Sequence, residues 1–285
     1  AIRRQRQMCI RDRNKFKLNS STLLVFILTT GVFGIINTEM GVIGILPLIA
    51  ENFQVTVPEA GWTVSIFALV VAISAPITPL LFSGINRKKV MILALGLFTL
   101  SNIISMMTTN FTVLLISRAL PAFLHPVYAS MAFTVAAASV SKEKAPKAVA
   151  KVFIGVSAGM VLGVPVTSYI ASEVSYSMGM LFFTVVNALV LVATILFVPS
   201  MPVKEKLSYG TQLGVLKKKV VWYSILVITL INGALFGFFS YMSDYLKTIT
   251  GVSYTVISTM LLIYGLANII AVSYTHLRAH ETRRH

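Results

Sequence analysis

Long apolar stretches separated by short polar breaks make up most of this chain of 285 residues. Each stretch reaches about 20 residues, the length that a helix needs to cross the hydrocarbon core of a bilayer. A helix on the surface of a water-soluble protein keeps a polar face, and these stretches have none. The pattern therefore predicts an all-α membrane protein. Seven stretches are complete, at roughly 21–50, 60–82, 90–109, 111–137, 150–171, 177–199 and 221–246, and an eighth begins near residue 252.

The two ends of the chain are predicted to be foreign to the fold. One codon choice for residues 8–12 has a reverse complement that encodes residues 272–276. The residues around both segments resemble translated sequencing adaptors joined to a transposon end. We therefore interpret 1–13 and 272–285 as non-native, adaptor-like segments and exclude them from fold reasoning. On this interpretation the native part, about 14–271, is truncated at both ends.

Basic residues collect in alternate loops, and this distribution predicts the orientation in the membrane. They lie before the first stretch and after the second, fourth and sixth: Lys15, Lys17, Arg87, Lys88, Lys89, Lys142, Lys144, Lys147, Lys151, Lys204, Lys206, Lys217, Lys218 and Lys219. The opposite loops carry Glu51, Glu59 and Glu173, with Lys247 as their base. The positive-inside rule then places the N-terminus of this multi-pass protein in the cytoplasm. The formal net charge of +15 thus reports orientation and gives no reason to expect nucleic-acid binding.

The chain divides at a polar, basic segment. Six stretches precede residues 200–220, which read as a cytoplasmic linker between an N-terminal six-helix bundle at 14–199 and the start of a second bundle at 221–271. Residues 52–56, after the first stretch, resemble residues 249–253, after the seventh. Two six-helix halves with a site between them are typical of transporters.

Two ionised side chains lie deep within the apolar stretches, Glu39 in the first and Arg118 in the fourth. His125 follows Arg118 by two helical turns and shares its face. Counting helical rise from the outer ends puts Glu39 at a depth between Arg118 and His125. If the first and fourth helices are neighbours, the carboxylate faces a guanidinium on one side and an imidazole on the other. Ionisable groups inside a membrane are costly and usually functional.

This arrangement suits proton coupling. Apolar surroundings favour the neutral form of a carboxylate and a nearby cation favours its charged form, so Glu39 can load a proton in one conformation and release it in another. Arg118 would be the fixed counter-charge and His125 a relay. A polar cluster that only locks two helices together is the alternative. Possible polar contacts for a substrate are Asn37, Thr38, Tyr128 and Ser130.

The fifth stretch carries Gly155, Gly159 and Gly163, followed by Pro165. Glycines four residues apart form a smooth stripe on one helix face, which permits close approach of another helix. The proline removes a main-chain hydrogen bond and favours a bend.

These residues resemble the major facilitator superfamily, specifically its bacterial drug:proton antiporter branch, which includes arabinose-, sugar- and purine-efflux permeases. Residues 37–47 resemble the first-span signature of that branch, with its membrane acid at Glu39. Arg118 matches the arginine that this family carries in its fourth span. Residues 121–126 resemble the Gly-Leu-Pro-His-Gly sequence of its arabinose-efflux-like members. Residues 155–165 resemble the glycine-proline run that marks antiporters. The loop between the second and third spans keeps the basic end of a conformational motif, Arg87 and Lys88, and lacks its acid.

The resemblance implies a major facilitator fold, here the N-terminal six-helix bundle plus the first one to two helices of the C-terminal bundle. It implies proton-coupled efflux of a small organic solute or drug by alternating access. The expected partners are the lipid bilayer, the small-molecule substrate and protons; we expect a monomer, no cofactor and no metal. A uniporter or symporter of the same fold, or a non-transporting membrane sensor, remains an alternative. An enzyme is disfavoured, because the spans lack a metal cluster, a Ser/His/Asp set and any cysteine.

Overall fold

The protein is described by a computed structural model that covers residues 2–202, 219–253 and 255–267, with side chains from Ser21 onwards. Every regular element in these ranges is helical. Seven segments are long and apolar enough to cross a membrane, which confirms the predicted number of complete spans. Spans 1 to 7 are Ser21–Phe53, Val57–Ser74, Arg87–Met107, Phe111–Ala138, Ala145–Glu173, Tyr176–Phe197 and Lys219–Thr248. The helix Thr255–Ala267, here called span 8, follows them.

Several spans are built from more than one helix. The α-helices are Ile2–Met40, Leu46–Phe53, Val57–Ala60, Trp62–Ser74, Thr78–Leu81, Arg87–Met107, Phe111–Ala122, His125–Ala138, Ala145–Glu173, Tyr176–Phe197 and Lys219–Thr248. A 3₁₀ segment, Gly41–Ile45, joins the two helices of span 1. Span 2 was expected to run without interruption over 60–82, but its long helix ends at Ser74. Pro76 and Pro79 follow within five residues, and proline cannot donate the main-chain hydrogen bond that a continuous helix requires.

The breaks in spans 1 and 4 fall beside the predicted site residues. Glu39 lies one residue before the end of the first α-helix of span 1. His125 is the first residue of the second helix of span 4, between Pro121 and Pro126. Interrupted helices free main-chain polar groups and are tolerated in membranes where those groups find other partners.

Span 1 packs along the glycine stripe of span 5. A Cβ atom at Gly155 would overlap the main-chain oxygen of Thr29, and one at Gly159 would lie 2.9 Å from Cβ of Ile36. At Gly163 the same atom would lie 2.9 Å from Oδ1 of Asn37. The expected close helix approach is therefore present, and the neighbour is span 1.

The loop between spans 2 and 3 attaches to the end of span 6. The main-chain nitrogen of Arg87 donates to the oxygen of Met201 at 3.2 Å. The ammonium of Lys88 donates to the oxygen of Ile195 at 2.8 Å, close to the C-terminus of span 6. The basic residues of this loop thus join two parts of the same six-helix bundle.

Spans 7 and 8 touch the first bundle near Glu51, Glu59 and Glu173, which define the acidic end of the molecule; the opposite end is called the basic end. An apolar cluster at this contact contains Ile43, Val164, Ile257 and Leu261. The hydroxyl of Thr255 donates to Glu173 Oε1 at 2.9 Å. From residue 219 to 238, span 7 is exposed or half-exposed.

Three predicted segments are not tested by this architecture. The linker at 200–220 lies mostly outside the described residues, and 272–285 lies wholly outside them. Residues 2–13 belong to the helix Ile2–Met40. Their assignment as non-native, like the division into two bundles, stays a prediction.

Candidate functional site

The carboxylate of Glu39 meets the imidazole of His125 between spans 1 and 4. Oε2 of Glu39 lies 3.2 Å from Nε2 of His125. The side chains are 18% and 13% exposed, respectively, so the pair is largely enclosed. The structure thus brings together two of the three residues that the sequence assigned to proton coupling.

Arg118 is buried at 2% exposure and bonds to main-chain oxygens. Its Nη1 donates to the oxygen of Thr38 at 2.8 Å, and its Nη2 donates to the oxygen of Glu39 at 3.3 Å. Its Nε donates to the oxygen of Thr63 in span 2 at 3.4 Å. Three spans therefore meet at this one guanidinium.

The end of a helix explains these partners. The last four carbonyl groups of an α-helix have no partner within it, and the first helix of span 1 ends at Met40. Arg118 takes two of these groups and places a positive charge at the negative end of the helix dipole. Among the described residues the guanidinium and the Glu39 carboxylate form no ion pair within 4.0 Å, and the predicted role of Arg118 as counter-charge stays a prediction. Arg118 instead holds the main chain that carries the acid.

Phe67 of span 2 contacts the side chains of both Arg118 and His125. The Arg118 Cζ atom stands 5.0 Å from the centre of the Phe67 ring. The His125 ring meets the same phenyl group edge-on, with centroids 5.9 Å apart and planes at 73°. Sequence reasoning missed this residue, because a phenylalanine in an apolar span looks like any lipid-facing or core side chain.

Thr38, expected as a substrate contact, holds helices together. Its hydroxyl donates to the oxygen of Gly34 at 2.9 Å and accepts from Asn187 Nδ2 at 2.9 Å. Asn102 Nδ2 also donates to it, at 3.3 Å. Spans 1, 3 and 6 are joined by this network. Sequence reasoning looked for uncharged polar contacts only in spans 1 and 4 and so overlooked Asn102 and Asn187, whose amides were a visible signal.

The other three expected substrate contacts have different surroundings. Asn37 and Tyr128 are fully buried, whereas Ser130 is exposed. Both amide atoms of Asn37 and the hydroxyl of Tyr128 have no hydrogen-bond partner in the described part of the chain. In this conformation the enclosed side chains of Asn37, Thr38 and Tyr128 offer no open face to a solute, so their role in substrate binding stays a prediction.

The arrangement suits a proton that moves between an acid and an imidazole. Both ring nitrogens of His125 are buried and lack a hydrogen-bond partner among the described residues, so the 3.2 Å approach of Nε2 to Glu39 is an ion-pair contact without hydrogen-bond geometry. The described residues contain no group of three or more His, Cys, Asp and Glu side chains that could hold a metal ion.

Comparisons with known proteins give the family context. The family model described as the Major Facilitator Superfamily matches residues 23–281. The inner membrane transport protein YdhP of Escherichia coli is 30% identical over 84% of this chain and 61% of its own length. The putative transporter AraJ of Escherichia coli is 26% identical over 87% of this chain and 63% of its own length. The chain therefore spans somewhat less than two thirds of these relatives.

Solved structures share the fold at low sequence identity. A bacterial homologue of the human lysosomal transporter Spinster, in an inward-facing and unoccupied conformation, superposes with a TM-score of 0.65 at 18% identity. The match covers 88% of this chain and 59% of that one. The human organic anion transporter MFSD10 gives a TM-score of 0.63 at 16% identity, over 86% of this chain and 70% of that one.

Proposed function

The chain belongs to the major facilitator superfamily, and we propose that it is part of a proton-coupled exporter of a small organic solute or drug. The family and its fold are those of multi-pass membrane transporters and not of enzymes. The observation that carries the finer proposal is the contact of 3.2 Å between Glu39 and His125 inside the membrane-spanning bundle.

The exchange of a proton at this pair is the proposed coupling step. A charged Glu39 attracts a protonated His125 across the contact, and this attraction holds spans 1 and 4 together. Protonation of the carboxylate removes it and frees both side chains to take other partners. Arg118 keeps its charge throughout, and its bonds to the oxygens of Thr38 and Glu39 preserve the main-chain geometry while the proton comes and goes.

The contact between the halves supports alternating access. Spans 7 and 8 touch the first bundle at the acidic end, where Glu173 accepts a hydrogen bond from Thr255. If the basic end lies in the cytoplasm, as the positive-inside rule indicates, the closed end faces outwards. The side away from this contact, where residues 219–238 of span 7 are exposed or half-exposed, would then face the cytoplasm, from which an exporter collects its solute.

The same orientation also gives the proposed location of the protein and its partners. The protein would lie in the bacterial inner membrane as a monomer with a cytoplasmic N-terminus, and its partners would be the bilayer, protons and the solute. YdhP, a relative by sequence, is named an inner membrane transport protein. The glycine stripe of span 5 lies against span 1, the span that carries Glu39, so a proton-dependent movement of one span would be transmitted to the other.

The test is Glu39→Gln in the full-length protein, reconstituted in proteoliposomes with an imposed pH gradient. Arabinose and ethidium serve as probes of the sugar and drug classes, with Glu51→Gln at the exposed acidic end as the matched control. Glu39→Gln should abolish gradient-driven export while the protein still inserts and folds, and Glu51→Gln should transport normally. Export by Glu39→Gln with an unchanged dependence on pH would overturn the role.

A second test of proton exchange at Glu39 does not require the transported solute to be known. The thermal unfolding midpoint of the wild type should change between pH 5.5 and pH 8.5, and Glu39→Gln should reduce that change, because the pair with His125 is lost. Equal pH dependence in both proteins would contradict proton exchange at Glu39. Solute movement without a pH effect would indicate a uniporter, and uptake with protons would indicate a symporter.

A further inference from the structure

A basic cavity lies at the basic end, between the beginnings of spans 1 and 5 and the end of span 4. Its volume is about 860 Å³. Lys144, Lys147 and Lys151 line one side, together with Ser141, and Val25 and Val140 add an apolar wall. None of these residues belongs to the Glu39–His125 site or touches it.

The three lysines have no partner within the described part of the chain. No hydrogen bond or ion pair to another described residue engages their ammonium groups. Lys88, at the same end of the molecule, behaves differently, because its ammonium donates to Ile195. Glu143, the acid of the same loop, does not line the cavity. Three ammonium groups thus border one space, and no carboxylate among the described residues lines it.

The position of the lysines reinforces their charge. They are spaced three and four residues apart at the start of the helix Ala145–Glu173, so they lie on one helix face. The first turn of that helix contains no acidic residue. The positive end of the helix dipole therefore adds to the field in the cavity.

We propose that this cavity binds the phosphate-bearing head group of an anionic phospholipid. The ammonium and Ser141 hydroxyl groups would hold the phosphate oxygens, while Val25 and Val140 would contact the glycerol and upper acyl carbons. The volume exceeds what a bare phosphate fills and falls within the usual range for small-ligand pockets, about 300–1,000 Å³. Basic cavities between membrane helices at the membrane surface are known to select such head groups.

The size of the effect follows from the charge. Each lysine near an anionic membrane surface contributes about 1 kcal/mol, which corresponds to roughly fivefold in affinity. Lys147→Gln together with Lys151→Gln should therefore weaken the binding of phosphatidylglycerol by about 25-fold. Lys89→Gln together with Lys219→Gln removes the same charge from the basic end outside the cavity and should change binding less than twofold.

The measurement is native mass spectrometry of the delipidated protein titrated with phosphatidylglycerol or phosphatidylcholine. Phosphatidylglycerol should bind strongly and phosphatidylcholine weakly, and glycerol 1-phosphate should compete only at much higher concentration. If glycerol 1-phosphate binds as tightly as the lipid, the site is for a soluble anion and the lipid assignment fails. Equal binding of the two lipids, or equal losses in the two double variants, would also overturn the proposal.

Chemical protection gives a readout that needs no variant. Phosphatidylglycerol should shield Lys144, Lys147 and Lys151 of the wild type from acetylation, and it should leave Lys89 and Lys219 reactive. Uniform reactivity with and without the lipid would contradict the site. Lipid binding and acetylation are both measured without transport. The lipid site can therefore be disproved while the proposed export stands, and export can be disproved while the lipid site stands.

Discussion

Arg118 binds Glu39 through the main chain: its Nη2 donates to the Glu39 carbonyl oxygen at 3.3 Å, while the carboxylate of Glu39 meets His125. The buried cation therefore fixes the position of the acid without pairing with it. The three main-chain oxygens that the guanidinium reaches give the arginine a role that a different cation would not fill.

Arg118→Lys tests that role. A lysine offers one ammonium group, which cannot reach the oxygens of Thr38, Glu39 and Thr63 in the planar pattern of a guanidinium. Buried carbonyl groups would be left unpaired, and we expect the free energy of unfolding to fall by about 2–4 kcal/mol. Arg87→Lys is the control, because the Arg87 side chain makes no hydrogen bond within the described residues. Equal midpoints of denaturant unfolding for the two variants would show that Arg118 does not hold this junction.

Phe67→Leu should change the pH profile of transport more than it changes folding. Leucine preserves an apolar side chain, but it removes the ring that contacts both Arg118 and His125. Phe98→Leu is the matched control: Phe98 is fully buried and contacts Phe67, with ring centroids 6.4 Å apart. Both variants should lose similar stability, by about 1 kcal/mol. A pH profile that moves equally in both would assign Phe67 to packing alone.

Gly159→Ala should destabilise the bundle. The added methyl group would lie 2.9 Å from Cβ of Ile36, so spans 1 and 5 would have to separate. We expect a loss of about 1–3 kcal/mol in the free energy of unfolding. Gly96→Ala is the control, since a Cβ there would meet nothing within 4 Å. That control should be neutral or stabilise its helix by up to about 1 kcal/mol. A Gly159→Ala protein as stable as the control would disprove close packing at the stripe.

Asn187→Ala should weaken the link between spans 1 and 6. The change removes the hydrogen bond of 2.9 Å to Thr38 and leaves a small cavity. Interhelical hydrogen bonds in membranes contribute about 1–2 kcal/mol. Asn232→Ala is the comparison, because Asn232 is exposed and bonds only within its own helix, to Ile228 at 2.9 Å. Unfolding measured in a mild detergent would reveal the difference, and matching stabilities would exclude the network as a structural link.

Hydropathy alone predicted the spans, because the hydrocarbon core demands long apolar helices wherever the chain crosses it. Depth along the helices placed Glu39 between the levels of Arg118 and His125, and in the structure its carboxylate lies 3.2 Å from His125. The partners of Arg118 could not be predicted in this way. Every residue has a main-chain oxygen, so the residue types do not show which oxygens lack a helical partner, and the 3₁₀ segment that begins at Gly41 was not predicted. The role of Phe67 was not predicted either, because it depends on the contacts of its ring with Arg118 and His125.

Span 7 contacts the first six spans near one of its ends only, and this affects how the helix can move. Phe239, Met242 and Leu246 pack at that contact, and Lys219 begins the same helix 20 residues earlier, about 30 Å away. A tilt of about 10° pivoting at the contact would swing Lys219 through about 5 Å while the pivot itself scarcely shifts. A rotation of span 7 about this contact would therefore produce its largest displacement at the Lys219 end of the helix.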